Sequence, residues 1–269
     1  MLTNILTALA VLTTLGLFFG VLLALVIRFF GIEEDEKTKR IRNALPGINC
    51  GSCGFKSCND YAEKLAKGEA APNLCVPGAA STASEIGDIL GVEVKPPRDM
   101  EAFVHCNGTC EAITHKANYD GILSCKAASM LYAGPMACSY GCLGCGDCQK
   151  ACIAHAISIS DGVAVVDRNL CMGCGMCVAT CPKKIISMVP SDSHTAVFCA
   201  NKSKGADARK ACKNACIGCK KCASTCPHQA ITVINNCAVI DYTKCTSCGA
   251  CIETCPTGCI QNVSGPDAI

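Results

Sequence analysis

Ten cysteines between residues 125 and 181 recur, each displaced by 74 residues, between 199 and 255. The first series is Cys125, Cys138, Cys142, Cys145, Cys148, Cys152, Cys171, Cys174, Cys177 and Cys181. The second is Cys199, Cys212, Cys216, Cys219, Cys222, Cys226, Cys245, Cys248, Cys251 and Cys255. The segments between them repeat as well. Ala156–Ser160, Asp161-Gly162 and Val163–Asp167 read as strand, tight turn and strand, and Ala230–Ile234, Asn235-Asn236 and Cys237–Asp241 are their copy. Chance does not place ten matches in register, so the second half is a duplicated domain. With 28 cysteines in 269 residues, the chain is either a disulfide scaffold or a metal protein. It has no Trp, and aromatics make up 4%. The interior therefore needs an organiser other than large rings, and metal clusters would serve. A chain that is 50% hydrophobic and 17% charged is not a disordered one.

Met1 to Ile27 carries no charged side chain. A run of that length crosses a bilayer with some tilt. A cleaved signal needs a basic start and a shorter apolar core, and neither is present. The expectation is a retained anchor. Arg28, Lys37, Lys39, Arg40 and Arg42 follow the run and no basic residue precedes it, which puts the remainder on the cytoplasmic side. A reducing cytoplasm turns the cysteines from disulfides toward metal. Gly16, Gly20 and Ala24 form a small-residue stripe that could pack against a partner helix, although glycine is common in such helices.

Each repeat holds two C-x2-C-x2-C-x3-C runs: Cys142–Cys152 and Cys171–Cys181, then Cys216–Cys226 and Cys245–Cys255. Three of the four end in Cys-Pro, at Pro182, Pro227 and Pro256, while Ile153 departs from the pattern. The spacing resembles the bacterial two-cluster ferredoxins. There, three thiolates of one run hold a cubane and the fourth ligates the other cluster of the pair. That resemblance implies four ligand sets: Cys142, Cys145, Cys148 with Cys181; Cys152 with Cys171, Cys174, Cys177; Cys216, Cys219, Cys222 with Cys255; and Cys226 with Cys245, Cys248, Cys251. Structural zinc instead pairs two C-x2-C knuckles across a spacer, which these runs do not do. Cys50, Cys53, Cys58 and Cys75 form a further module. Its context Leu45-Pro-Gly-Ile-Asn-Cys-Gly-Ser-Cys-Gly resembles a four-iron domain of membrane-bound and corrinoid-linked redox proteins. Cys106, Cys110, Cys125 and Cys138 form a looser set that could hold a sixth cluster. Cys199 and Cys212 stay unassigned, and Cys237 and Cys259 read as small apolar strand residues. Six [4Fe–4S] clusters would move the formal charge from +2 to roughly −10. His105, His115, His155, His194 and His228 sit outside any ligand spacing and read as surface or loop residues. Lys202, Lys204, Arg209, Lys210, Lys213, Lys220 and Lys221 crowd the second repeat, either to compensate cluster charge or to dock an acidic redox partner.

The order of anchor, four-iron domain, Cys-rich middle and ferredoxin repeat resembles the B-subunit family of the Rnf complex, in the longer form found in anaerobes. The most specific segments are Leu45–Cys58 and Tyr140-Gly-Cys-Leu-Gly followed by Gly146-Asp-Cys. Cys145 departs from many members, which lack a cysteine there. The resemblance implies an electron-transfer subunit of a membrane-bound ferredoxin:NAD+ oxidoreductase. Such a subunit takes electrons from reduced soluble ferredoxin and relays them through [4Fe–4S] clusters to membrane, flavin and NAD subunits, with Na+ or H+ translocation in the whole complex. No dinucleotide fingerprint and no nucleophile–base constellation occur, so this chain alone carries no complete active site. No nucleic-acid partner is expected. The alternatives are a membrane polyferredoxin serving another redox complex and a zinc scaffold without redox chemistry. The expected fold class is α+β: an anchor helix at 1–30, a helical, solvated juxtamembrane segment at 31–44, a four-iron domain at 45–78 and a linker at 79–104 that opens with a short helix and continues through Pro96 and Pro97. A Cys-rich segment with the first ferredoxin-like domain follows at 105–190, and the second ferredoxin-like domain at 191–269. The expected location is the cell (inner) membrane, single-pass, with the C-terminal domains cytoplasmic.

Overall fold

The computed structural model of the chain describes residues 2–30, 35–95 and 99–263. Helix α1, Leu2–Phe30, is apolar, and its described large side chains from Ile5 to Val26 are exposed. Its Ile5–Val26 stretch is long and apolar enough to cross a membrane. Such a helix buries its surface only in lipid or against a partner.

Three helices build the next unit: α2 (Glu36–Ala44), α3 (Cys58–Ala66) and α4 (Ala79–Leu90). Ser57 caps α3, its Oγ accepting from Asp60 N at 3.1 Å, while Asp60 Oδ2 accepts from Lys56 N at 3.2 Å. Ile41, Tyr61, Leu65 and Ile86 from all three helices form one core. Burying each of these side chains contributes about 1.5–3 kcal/mol. Two expectations need correction here. Within the expected juxtamembrane segment, α2 is more than a solvated helix, because it buries Ile41 and Ala44 in this core. In the stretch 79–104 the expected short helix is α4, but it belongs to the N-terminal unit and not to a linker, because it seals the same core. Pro96 and Pro97, expected in that linker, lie outside the described residues.

The repeat begins earlier than expected. Strand β1, Met100–Val104, pairs antiparallel with β4, Ile186–Pro190, so the first repeat opens at 100 and not at 105. Between them lie α5 (Cys125–Met130), α6 (Asp147–Ala151), the hairpin β2 (Ile157–Ser160) and β3 (Val163–Val166), and α7 (Met176–Thr180). The second repeat has β5 (Thr195–Val197), α8 (Gly205–Ala211), α9 (Lys221–Thr225), β6 (Ile231–Ile234), β7 (Cys237–Ile240), α10 (Ala250–Thr254) and β8 (Ile260–Asn262). β5 pairs with β8 and β6 with β7. Both hairpins turn through two residues with positive φ, Asp161-Gly162 and Asn235-Asn236, the turn that fits the twist of two-residue hairpins.

The two repeats are tied by side chains that the cysteine pattern does not reveal. Arg168 pairs through Nε with Glu101 of β1, which is 4% exposed. Its other nitrogens donate to Val263 O at 2.8 Å, Ser191 O at 2.7 Å and Ser193 O at 3.0 Å. His105, expected at the surface, is instead half-buried between the repeats. Its Nδ1 lies 2.8 Å from Val197 O and its Nε2 2.6 Å from Ser187 Oγ. Phe103 and Phe198, 4.8 Å apart edge to face, complete the joint. Replacing Arg168 by Leu strands a buried carboxylate and three carbonyls. The expected loss is about 3–5 kcal/mol, read as a lowered thermal midpoint of the anaerobic full-length protein. Lys244→Ala, which removes the exposed pair with Asp241, is expected to leave that midpoint nearly unchanged.

Candidate metal centres

Cysteines gather in separate hollows, and local backbone explains each one. In the N-terminal unit, Cys50, Cys53, Cys58 and Cys75 line one cavity with Leu45, Ile48 and Tyr61. Cys58 opens α3, and its N–H donates to Asn49 Oδ1 at 2.8 Å, which fixes the loop carrying Cys50 and Cys53. Cys75 is held by Tyr61, whose hydroxyl accepts from Leu74 N at 3.2 Å and donates to Ala71 O at 2.7 Å.

In the first repeat, Cys142, Cys148 and Cys181 line a cavity roofed by Val104, Leu143 and Ile186. Cys125 lines it too, and Cys145 stands beside Cys125 and Cys142, so five thiols meet where four were expected. The fifth arrives because Ser124, which caps α5, donates to Asp147 Oδ2 at 2.9 Å, and Lys126 N donates to the same oxygen at 3.0 Å. Cys152, Cys171, Cys174 and Cys177 surround the second position. There Ala156 N donates to Cys152 Sγ at 3.3 Å and Ala102 N to Cys171 Sγ at 3.4 Å. The loops come this close because Gly144 and Gly173 have positive φ; a Cβ there would meet Gly162 O at 2.7 Å and Met100 O at 2.3 Å.

The second repeat copies this. Cys216, Cys219, Cys222 and Cys255 line one cavity, and Cys226, Cys245, Cys248 and Cys251 line another. Ala230 N donates to Cys226 Sγ at 3.4 Å, the counterpart of the Ala156 bond. Cys237 and Cys259 are buried, as small strand residues would be, yet they do more than fill space. Cys259 Sγ lies 3.6 Å from Cys255 Sγ and draws that thiol down to about 5. Cys237 likewise draws Cys199 down to about 7.

The looser set does not assemble. Cys110 is exposed at the tip of the β2–β3 hairpin, its N–H donating to Asp161 O at 3.1 Å. Cys125 belongs to the five-thiol group. Cys106 and Cys138 instead face Cys199 and Cys212 of the other repeat. The expectation failed because 105–141 is not one loop: its parts dock separately on the hairpin, on the Asp147 helix and on the second repeat.

The donor chemistry suits a polynuclear cluster. Burial pushes Cys106 and Cys148 up to about 12, and Cys177 and Cys251 up to about 11, with neighbouring cysteines adding to all four. Thiols held this way become thiolates only when bound cationic charge replaces the lost solvation. Among the described residues, no three His, Cys, Asp or Glu side chains are arranged to hold a single ion. Around one zinc the thiolates would sit about 2.3 Å from a common centre. Backbone N–H groups aimed at sulfur are the contacts through which proteins tune iron–sulfur clusters.

Comparison with known proteins agrees. Residues 45–77 match a family described as an Fe-S cluster, residues 141–186 a 4Fe-4S dicluster domain, and residues 213–232 and 238–261 a 4Fe-4S binding domain. The chain is 42% identical to the B subunit of the Na(+)-translocating ferredoxin:NAD(+) oxidoreductase complex of Acetobacterium woodii, over 97% of this chain and 78% of that one. It is 43% identical to the proton-translocating counterpart of Clostridium ljungdahlii, over 90% and 86%. It is 38% identical to the B subunit of the ion-translocating oxidoreductase complex of Methanosarcina acetivorans, over 90% and 92%. With an Fe-S domain and 4Fe-4S domains in this order and such identity over nearly all of its length, the chain belongs to the Rnf family of ion-translocating oxidoreductase complex B subunits.

Proposed function

We propose that this chain is the electron-relay subunit of a membrane-bound ferredoxin:NAD+ oxidoreductase, an α+β protein with an N-terminal anchor helix. It receives electrons from reduced soluble ferredoxin and passes them toward membrane, flavin and NAD subunits, where NAD+ reduction is coupled to Na+ or H+ translocation. Bound [4Fe–4S] clusters would supply reversible one-electron chemistry. The chain's own residues place them. Cys50, Cys53, Cys58 and Cys75 would hold one cluster. Cys152, Cys171, Cys174 and Cys177 would hold another, as would Cys216, Cys219, Cys222 and Cys255, and Cys226, Cys245, Cys248 and Cys251. Cys142, Cys148 and Cys181 would hold one more, with Cys145 or Cys125 as its remaining ligand.

The observation that carries this reading is the succession of the sites. Cys50 lies near enough to Cys174 to raise its thiol, and Val76 Cγ1 stands 3.1 Å from where a Gly173 Cβ would be. The two sites of the first repeat share one core, through Cys148 and Cys177. Cys222 lies beside Cys251 in the second repeat. A docking surface for ferredoxin fits the second repeat: Cys219 is exposed, and exposed Lys220 and Lys221 follow it. A positive rim there attracts an acidic carrier. α1 would cross the membrane once, with Arg28, Lys37, Lys39, Arg40 and Arg42 keeping the rest cytoplasmic.

Under anaerobic conditions, adding reduced ferredoxin to the purified full-length chain is expected to bleach its visible iron–sulfur absorbance. A colourless chain containing zinc and no iron would sink the proposal. At the five-thiol site, Cys125→Ala and Cys145→Ala are each expected to leave the iron content unchanged, while the double variant loses about four iron atoms per chain. Loss of a cluster in either single variant would show that the other thiol cannot substitute. For topology, protease added to inverted membrane vesicles is expected to digest residues 35–263, and in right-side-out vesicles to leave them intact. The reverse pattern would place the clusters outside.

A further inference from the structure

Cys199 and Cys212 have no place in the two-cluster ferredoxin pattern, and the 74-residue displacement pairs Cys199 with Cys125. In space the pairing is different. Cys106 follows β1 and Cys199 follows β5, the strands that close the two repeats in the same way. His105 N donates to Ile185 O at 2.8 Å, and Phe198 N to Cys259 O at 2.7 Å. Each cysteine then accepts the same two backbone donors. Cys106 Sγ receives Gly108 N at 3.4 Å and Cys142 N at 3.3 Å. Cys199 Sγ receives Asn201 N at 3.5 Å and Cys216 N at 3.3 Å. Cys216 is the counterpart of Cys142. Cys106 is therefore the structural partner of Cys199, and Cys138 the partner of Cys212. The repeat is obscured because the first copy carries a longer excursion between its two cysteines.

These two pairs face each other across the joint between the repeats. The sulfurs of Cys106 and Cys212 lie 3.4 and 3.8 Å from the point where a Gly108 Cβ would stand, with Ile113 Cδ1 at 3.3 Å. The same Ile113 methyl and Cys138 Sγ lie 3.3 and 3.6 Å from where a Gly141 Cβ would be. Asn201 closes the group. It is 2% exposed, and its Nδ2 donates to Cys138 Sγ at 3.4 Å while its own N–H serves Cys199. Cys106, Cys138 and Cys212 are buried, and Cys199 is partly so. Four thiols have thus been brought together with one N–H···S pattern, two from each repeat, at a place where the joint could have been apolar.

We infer that Cys106, Cys138, Cys199 and Cys212 hold a further [4Fe–4S] cluster, shared between the two ferredoxin-like repeats. The inference rests on reading the other cysteine groups as cubane sites. Binding releases four thiol protons to solvent, and four thiolates around a 2+ cubane leave the site with a net charge of 2−. Its position answers a question that the other five sites leave open. Cys142, a first-repeat ligand, touches this group through Cys106, and Cys216, a second-repeat ligand, touches it through Cys199. A cluster here joins the relay of the first repeat to that of the second.

The test is iron and acid-labile sulfide per full-length chain, purified anaerobically, with four proteins compared. The wild type is expected to hold about 24 iron atoms, and Cys110→Ala the same. Cys199→Ala and Cys212→Ala are each expected to hold about 20. Unchanged iron in both of the last two would overturn the shared site. So would about 20 in the wild type, or a loss of four in Cys110→Ala. If Cys199→Ala and Cys212→Ala fail to accumulate, the wild type and Cys110→Ala decide. About 24 iron atoms in both support the site, since the contiguous set Cys106, Cys110, Cys125, Cys138 needs Cys110. A wild type with zinc and no iron would instead refute the cluster reading as a whole.

Discussion

The two ferredoxin-like repeats depend on buried sulfur held by backbone N–H groups. Among the described residues, each ferredoxin-like repeat offers two-stranded sheets and helices of five to seven residues. Pieces of that size are marginal alone, because a two-stranded hairpin buries too little to offset its ordering entropy. The cores reflect this: Cys142, Cys148 and Cys177 sit among Ile157, Val163 and Ile186. Thiols occupy the positions that large side chains fill elsewhere. Cluster binding and folding are therefore one equilibrium in these repeats, whereas the N-terminal unit has an aliphatic core of its own around Ile41, Leu65 and Ile86.

The parts of this architecture that are periodic were readable in the sequence. The C-x2-C-x2-C-x3-C runs announce their loops because three ligands on one tight turn require that spacing and the glycines within it. The hairpins announce themselves through Asp161-Gly162 and Asn235-Asn236. Aperiodic features were not readable. β1 is a five-residue strand whose partner lies about 86 residues further on, and nothing local in Met100–Val104 tells it from a linker. α4 was readable as a short helix but not as part of the core, because its buried face, Thr82, Ala83, Ile86 and Gly87, is made mostly of small residues. His105 has no ligand spacing, and its role as a bridge exists only once β4 and β5 are side by side.

The displaced register of Cys199 carries a more general point. A fixed displacement detects duplication where the copies are equal in length and misleads where one has been extended. Cys138 and Cys212 obey the 74-residue rule because both precede the cluster loop by the same interval. Cys106 and Cys199 break it because the first copy inserts the Cys110 turn and α5 between its two cysteines. The insertion also delivers Cys125 to the cluster site next door. One signal was available in advance: Cys106 and Cys199 each follow a short apolar run ending in aromatic or imidazole residues, Phe103-Val104-His105 and Ala196-Val197-Phe198.

The charges of the second repeat follow from the same constraint. Each cubane on four thiolates carries a net 2−, and low-dielectric surroundings make that charge costly. Asn201 and the backbone amides soften it at close range, but they are dipoles and cannot neutralise it. Lys202, Lys204, Arg209, Lys210, Lys213, Lys220 and Lys221 are all exposed and lie on or beside α8 and α9, around the loops that carry Cys199, Cys212 and Cys219. Compensation and docking are therefore not exclusive. Cations that offset buried cluster charge from the surface, where they keep their own hydration, also present a positive face to whatever approaches Cys219. The first repeat has fewer such cations. Lys183 is half-buried there, bonded to Ala133 O at 2.5 Å and Ser139 O at 2.6 Å. One repeat thus presents a positive face beside its exposed Cys219, and the other lies against the N-terminal unit, where Val76 meets Gly173 and Cys50 lies near Cys174.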